Sequence, residues 1–329
     1  ITVINIVRQA VATTLIVVLV LAGAGVLPLL AVTFPAALAA LAVAAWLVRG
    51  KMALVPRMRG TDWWPLVLET LPYAAAVAVN TLYFRITIVV MSLVAVSEQT
   101  GYFATSFRVT EVLIGVPSLA IGAAFPILSR AARDDLDRFA YAGERVIELA
   151  VVGGIALALA VALSAPFVIE LVAGPAGKPA APVLEIQAIA LAATFLTSAG
   201  GFLLLSMRRH MALLITNGGA LVLNLVLTLI LVHTDQAQGG AIAGVLAESA
   251  LAVSLIALIA RSHAVALRPG RLSAITLAGL AGAAPLLVSG LPSLIRLVAG
   301  LAIYAALLAA FRLMPPEIGH VLQRRRSSV

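Results

Sequence analysis

Ten apolar stretches, separated by short turns that are alternately basic and nearly uncharged, leave this chain few ways to fold. They fall near 9–25, 28–48, 71–96, 101–128, 146–172, 183–206, 211–232, 239–260, 273–290 and 294–313. A helix of about 20 apolar residues covers the hydrocarbon core of a bilayer, and it satisfies its backbone polar groups internally. The pattern therefore predicts an all-α fold, a polytopic membrane helical bundle of about ten transmembrane helices. Composition removes the soluble alternative: apolar residues make up 62% of the chain and charged residues 11%, against roughly a quarter charged in soluble domains.

The basic residues set the orientation. Arg8 precedes the first stretch, and Arg49, Lys51, Arg57 and Arg59 follow the second. Arg130, Arg133, Arg138 and Arg145 follow the fourth; Arg208 and Arg209 the sixth; Arg261, Arg268 and Arg271 the eighth. Arg324, Arg325 and Arg326 lie near the end, while the intervening turns hold only Lys178 and Arg296. Lys and Arg concentrate in short cytoplasmic loops, so both termini are expected in the cytoplasm. The net charge of +8 is thus a topology signal and implies no nucleic acid. The basic tail anchors topology and could also meet anionic headgroups.

Several chemistries drop out. Cysteine is absent, which removes disulfides and thiolate nucleophiles. His210, His233, His263 and His320 show no metal-ligand spacing. Gly177-Lys178 is followed by Pro179, and Val172 replaces the first glycine of a phosphate-binding loop. No metal and no cofactor is expected. No stretch has a cleavable signal-peptide pattern. The chain begins at Ile1 rather than Met, and it is expected to be the C-terminal part of a longer protein.

Ionisable residues inside a span are expensive and tend to face a cavity or a partner. Arg85, Arg108, Glu111 and Glu248 are such residues. In the stretch 101–128, Ala104, Arg108, Glu111, Gly115, Ser118 and Gly122 recur at spacings of four, three, four, three and four. That places all six on one small, polar face, opposite Val109, Leu113 and Leu119, and Pro117 favours a kink. In the preceding stretch Ala74, Ala78, Thr81, Arg85 and Ser92 share a side, and the turn at Ser97-Glu98-Gln99 makes the two helices antiparallel neighbours. At ~1.5 Å rise per residue, Arg85 and Arg108 fall within roughly 6 Å of each other in depth, in the outer half of the bilayer. Two guanidiniums there suit an anionic group such as pyrophosphate, which the planar fork of arginine can grip. Alternatively, Arg108 and Glu111 neutralise one another as a packing pair, whereas Arg85 has no acid within one helical turn. Glu248 is either a proton-coupling carboxylate or a hydrogen-bonded group between helices. Asn217 and Asn224, seven apart, read as interhelical hydrogen-bonding residues.

These residues carry a resemblance. Asn80-Thr-Leu-Tyr-Phe-Arg-Ile-Thr-Ile-Val-Val-Met91, Thr100-Gly-Tyr-Phe-Ala-Thr-Ser-Phe-Arg-Val-Thr-Glu111 and Phe125-Pro-Ile-Leu-Ser-Arg130 resemble the seventh and eighth helices of polysaccharide-repeat-unit flippases. Ala181-Pro-Val-Leu184, Asn217 to Leu225, and Gly239-Gly-Ala-Ile-Ala-Gly-Val-Leu-Ala-Glu248 resemble the same family. It belongs to the multidrug/oligosaccharidyl-lipid/polysaccharide transporter superfamily, and the likeness covers essentially the whole chain. It implies two six-helix lobes around a cavity, alternating access, and arginines that meet an undecaprenyl-pyrophosphate headgroup. Aligned this way, 1–50 holds the last two helices of a truncated first lobe and 51–70 a cytoplasmic linker. Residues 71–262 form a MATE/flippase-like, six-helix second lobe, 263–314 a C-terminal helix pair and 315–329 a basic tail. Thr87 departs from the family, which often places an acid there.

The function so implied is export of undecaprenyl-pyrophosphate-linked oligosaccharide across a bacterial inner membrane for surface polysaccharide. Arg85, Arg108, Glu111, Thr81 and Ser118 would bind substrate, and Glu248 and Glu111 are candidates for ion coupling. Membrane lipid and polysaccharide assembly proteins are the other partners implied. A peptidoglycan-precursor flippase and a cation-coupled multidrug exporter are the alternatives, the latter being expected to show acidic cavity faces. A membrane polysaccharide polymerase or ligase would carry a long, charged outer loop. The longest outer loop here, 174–181, holds one charge, Lys178, so an enzyme is not expected.

Overall fold

The computed structural model describes residues 2–49, 60–262, 264–265, 267–288 and 290–313. Lys51, Arg57, Arg59, His263, His320 and the tail 315–329 lie outside them. Among the described residues there is helix and no strand. The elements are α1 (Thr2–Leu21), α2 (Val26–Ala31), α3 (Thr33–Val48), α4 (Gly60–Val94), α5 (Ser97–Gly122), α6 (Phe125–Asp134), α7 (Leu136–Ala173), α8 (Ala181–Ser206), α9 (His210–Arg261), α10 (Pro269–Gly282) and α11 (Ser293–Ala310). Short 3-10 turns, Pro175–Ala180 and Ala284–Leu287, follow α7 and α10. Eight helical segments among the described residues are long and apolar enough to span a bilayer, and Ala78–Val94 within α4 is a shorter apolar helix. Counting α9 twice and adding α4 recovers the ten stretches of the sequence.

The chain divides into two compact units, Ile1–Pro72 and Tyr73–Val329. In the first, α1 packs on α3 after a turn at Gly23, whose φ of +68° suits glycine. Val32, Ala36 and Ala40 are its buried stripe, four residues apart as one helical face requires.

The second unit is built around α7, α8 and α9. Small residues allow close approach, as membrane helix pairs require where lipid is as apolar as leucine. A Cβ on Gly154 of α7 would lie 2.9 Å from Phe195 Cβ and 3.0 Å from the Ala192 carbonyl of α8. Phe139, Ile147, Leu203, Leu204, Leu255 and Ile259 fill the space between these helices. At the arginine-rich end, Glu148 (2% exposed) accepts from Arg145 at 2.7 Å, and Arg271 stands 2.8 Å from it. Arg268 meets Glu144 at 2.7 Å, and Arg271 Nη2 donates to the Leu313 carbonyl at 3.2 Å. These contacts tie the start of α10 to α7 and the residue following α11 to α10.

One expected helix proves differently divided, and one expected turn proves unusually tight. The stretch 101–128 is not one helix: α5 ends at Gly122, and α6 starts at Phe125 with Pro126 in its first turn. Proline is tolerated at a helix start because its missing N–H has no partner to lose there. The stretches 211–232 and 239–260 run on as α9, interrupted at Gln236 (φ 47°, ψ −120°). There the chain folds back so tightly that a Cβ on Gly239 would lie 2.0 Å from the Leu231 carbonyl oxygen. Gly239→Ala is accordingly expected to lower stability by at least ~2 kcal/mol, since neither backbone segment can yield without opening the turn. Thermal unfolding in detergent micelles measures this, and an unchanged midpoint would show that the turn is not tight in the protein.

Candidate functional site

The antiparallel pairing of α4 and α5 follows from the two-residue turn at Ala95 and Val96. Thr100 Oγ1 donates to the Met91 carbonyl across it at 3.1 Å, and Gln236 Oε1 accepts from Val96 N at 3.4 Å. The α4–α5 turn and the reversal of α9 thus sit at the same end of the unit.

About three turns down, the two arginines meet over one carboxylate. Arg85 Nη2 donates to Glu111 Oε1, and Arg108 Nη1 lies 3.7 Å from Glu111 Oε2. The expectation that Arg85 lacks an acidic partner holds only along its own helix; its partner is on α5. Two guanidiniums against one carboxylate leave one net positive charge. The Arg108 side chain is 78% exposed and that of Arg85 48%, so both retain donors for a further acceptor. Thr81 and Ser118 are exposed, as are Gly115 and Ser92 on the small-residue faces. The side chain of Ala74 lies outside the described residues. Across α5, Val109, Leu113 and Ile114 pack against buried residues of α7 and α8.

A second polar group lies between α4, α8 and α9. Glu248 (4% exposed) accepts from Tyr83 Oη at 2.5 Å and from Thr197 Oγ1 at 2.7 Å. None of its partners is a cation. Asn224 bridges α9 to α4: its Nδ2 donates to the Tyr83 carbonyl at 3.4 Å, and its Oδ1 accepts from Thr87 Oγ1 at 3.3 Å. The interhelical role expected of Asn224 is therefore seen. Asn217 differs, because its Nδ2 donates to the Leu213 carbonyl of its own helix at 2.8 Å.

Glu248 forms a wall of two cavities. One, about 70 Å³, is lined also by Thr87, Phe103, Thr110, Gln187 and Asn224. In it Gln187 accepts from Thr110 at 3.0 Å while its buried Nε2 has no partner. The other, about 280 Å³, is lined by Asn80, Gly115, Ser118, Thr197 and Asn217. Ser118, placed by sequence on the same face of α5 as Arg108, thus lines a cavity with Glu248. Tyr83, Thr197 and Gln187 escaped the sequence reading. Tyr83 and Thr87, four apart on α4, carried the only signal, a polar pair on a face distinct from that of Arg85. Among the described residues no three His, Cys, Asp or Glu side chains converge as a metal site would require.

No protein-family model matches the chain, and no curated protein does. Among solved structures it is similar to "Lipid II flippase MurJ, inward closed conformation", with a TM-score of 0.77 at 12% identity. The chain has the fold of MurJ. The likeness covers 92% of this chain and 66% of that MurJ chain, and it agrees with the expected polytopic helical membrane bundle. At this identity the likeness is one of fold, so the MurJ comparison leaves the identity of the cargo to the side chains.

Proposed function

We propose that this chain acts in a membrane flippase for undecaprenyl-pyrophosphate-linked oligosaccharide destined for surface polysaccharide. The observation that carries the reading is the pair Arg85 and Arg108, on adjoining helices, sharing the single carboxylate of Glu111. Guanidinium groups on an exposed, small-residue face suit a diphosphate, because each can place two N–H donors on a pair of phosphate oxygens. The MurJ fold supports the same placement within the superfamily of lipid-linked precursor and drug transporters. It equally favours a second reading, a peptidoglycan lipid-precursor flippase, since the matched structure is a lipid II flippase. A drug exporter for cations fits less well, because this face carries net positive charge.

In this reading Arg85 and Arg108 engage the pyrophosphate, Glu111 holds them in position, and Thr81 and Ser118 offer hydroxyls along the same faces. Glu248 is the candidate coupling group, being a buried carboxylate with cavities on two sides. The protein would sit in the bacterial inner membrane with its arginine-rich turns in the cytoplasm, moving its cargo by secondary transport without catalysis.

Arg85→Ala and Arg108→Ala are expected to make lipid-linked repeat units accumulate in the cytoplasmic leaflet, measured by leaflet-selective labelling of extracted glycolipid. Accumulation of peptidoglycan precursor instead would move the assignment to the second reading. Normal export by both variants would make the arginines structural and remove the basis of the proposal.

A further inference from the structure

At the arginine-rich end of the second unit, a cleft of about 610 Å³ lies between α6 and the turn that joins α8 to α9. Arg133 of α6, Arg208 of the turn and His210 at the start of α9 line it, together with Ser129, Phe125 and Met207. Among the described residues no carboxylate lines it. Neither Arg133 nor Arg208 is in an ion pair among the described residues, although the neighbouring recess on α6 holds Arg130 and Arg138 beside Asp134 and Asp135. The two recesses differ in charge although they share a helix.

Arg208 is placed there by the C-terminal cap of α8. It has φ +57°, a left-handed conformation that favours glycine and is unfavourable for a long side chain. The turn is closed by hydrogen bonds from Arg208 N to the Leu205 carbonyl at 3.0 Å and from Arg209 N to the Leu204 carbonyl at 2.9 Å. These two bonds are the usual Schellman cap of a helix C-terminus, and Arg312 takes the same conformation at the end of α11. On the other wall, the buried hydroxyl of Ser129 has no hydrogen-bond partner. Phe125, whose ring lies 5.6 Å from that of Phe202, and Met207 make the remaining surface apolar.

We infer that this cleft binds the phosphate group of an anionic membrane lipid. Unpaired guanidiniums supply charge-assisted donors to phosphate oxygens. The apolar wall suits the glycerol and first methylenes below a headgroup better than it suits a free, fully hydrated phosphate. The cleft also lies at the ends of spanning helices, the level at which headgroups sit. This assignment holds whether or not the chain moves lipid-linked glycans, because neither Arg85 nor Arg108 contributes to it.

The test is thermal unfolding of the full chain in nanodiscs of phosphatidylcholine, with and without phosphatidylglycerol. Phosphatidylglycerol is expected to raise the midpoint by about 4 °C, the shift that specific binding to the folded state produces at saturating ligand. Arg208→Gly should abolish that rise while leaving the midpoint in phosphatidylcholine unchanged or higher, since glycine relieves the left-handed backbone. Arg133→Gln should also abolish it, and Arg130→Gln, in the recess that already contains carboxylates, should not. A rise retained in Arg208→Gly would overturn the proposal. So would a rise produced by inorganic pyrophosphate in phosphatidylcholine discs but not by phosphatidylglycerol, which would assign the cleft to a soluble anion.

Discussion

Arg85→Glu is expected to stop movement of a diphosphate-linked cargo almost completely. The cluster of Arg85, Arg108 and Glu111 carries one net positive charge; the substitution makes it net negative by one. At ~6 Å and an effective dielectric of ~20, each unit of charge is worth about 3 kcal/mol. Both arginines are substantially exposed, and salt and solvent screen much of this. A loss on the order of 100-fold in initial rate still remains. Flipping of a labelled pyrophosphate lipid in proteoliposomes measures it. Glu111→Gln separates the two roles left open by the sequence. It removes the shared carboxylate that positions the guanidiniums but leaves both cations, so cargo should still bind and move, at a rate reduced far less than by Arg85→Glu. If Glu111→Gln lost transport as fully as Arg85→Glu while remaining folded, the ion pair itself would be what matters, and the arginines would not be a cargo site.

Glu248→Leu is the second large effect, and it acts first on stability. Tyr83 would keep its hydroxyl in a buried site without its acceptor, at about 1–3 kcal/mol, whereas Thr197 Oγ1 retains the Thr194 carbonyl at 3.1 Å. A loss of roughly 1–3 kcal/mol is expected, read as a lowered midpoint in micelles. Glu248→Gln retains an amide oxygen as acceptor for one hydroxyl and should fold. It cannot exchange a proton, so transport should fall even though the fold is kept. A glutamine variant that both folds and transports as the parent does would leave Glu248 a structural hydrogen-bonding group.

How much of this was legible beforehand depended on whether the signal was local. The ten stretches are visible because the bilayer imposes a length and a composition on every one of them, but helix ends outside the apolar core were not: α4 begins at Gly60 and α7 at Leu136, each about three turns before its apolar stretch. The polar face of α5 was visible because residues three and four apart share a side. The partnership of Arg85 with Glu111 was only half legible: both were singled out, but the contact runs across two helices and no periodicity within either encodes it. The hydrogen bonds from Tyr83 and Thr197 to Glu248 were out of reach for the same reason, as each donor lies on a different helix. Pro126 marked a new helix start that apolarity alone ran through. Gln236 gave no warning at all, because nothing in its side chain favours a positive φ, and it is Gly239 that accommodates the fold-back.

The contacts that hold α4 differ in kind from those that hold α7 against α8. Between α7 and α8 the backbones touch through glycine, and parting them would open empty space that neither water nor lipid fills well. Where α4 meets α8 and α9, Tyr83, Thr87, Thr197, Asn224 and Glu248 face one another beside two cavities. Water entering those cavities could take over each of these hydrogen bonds one at a time. The seam is therefore a zip rather than a weld: along it, wetting and opening are the same event, while the α7–α8 block can only move whole.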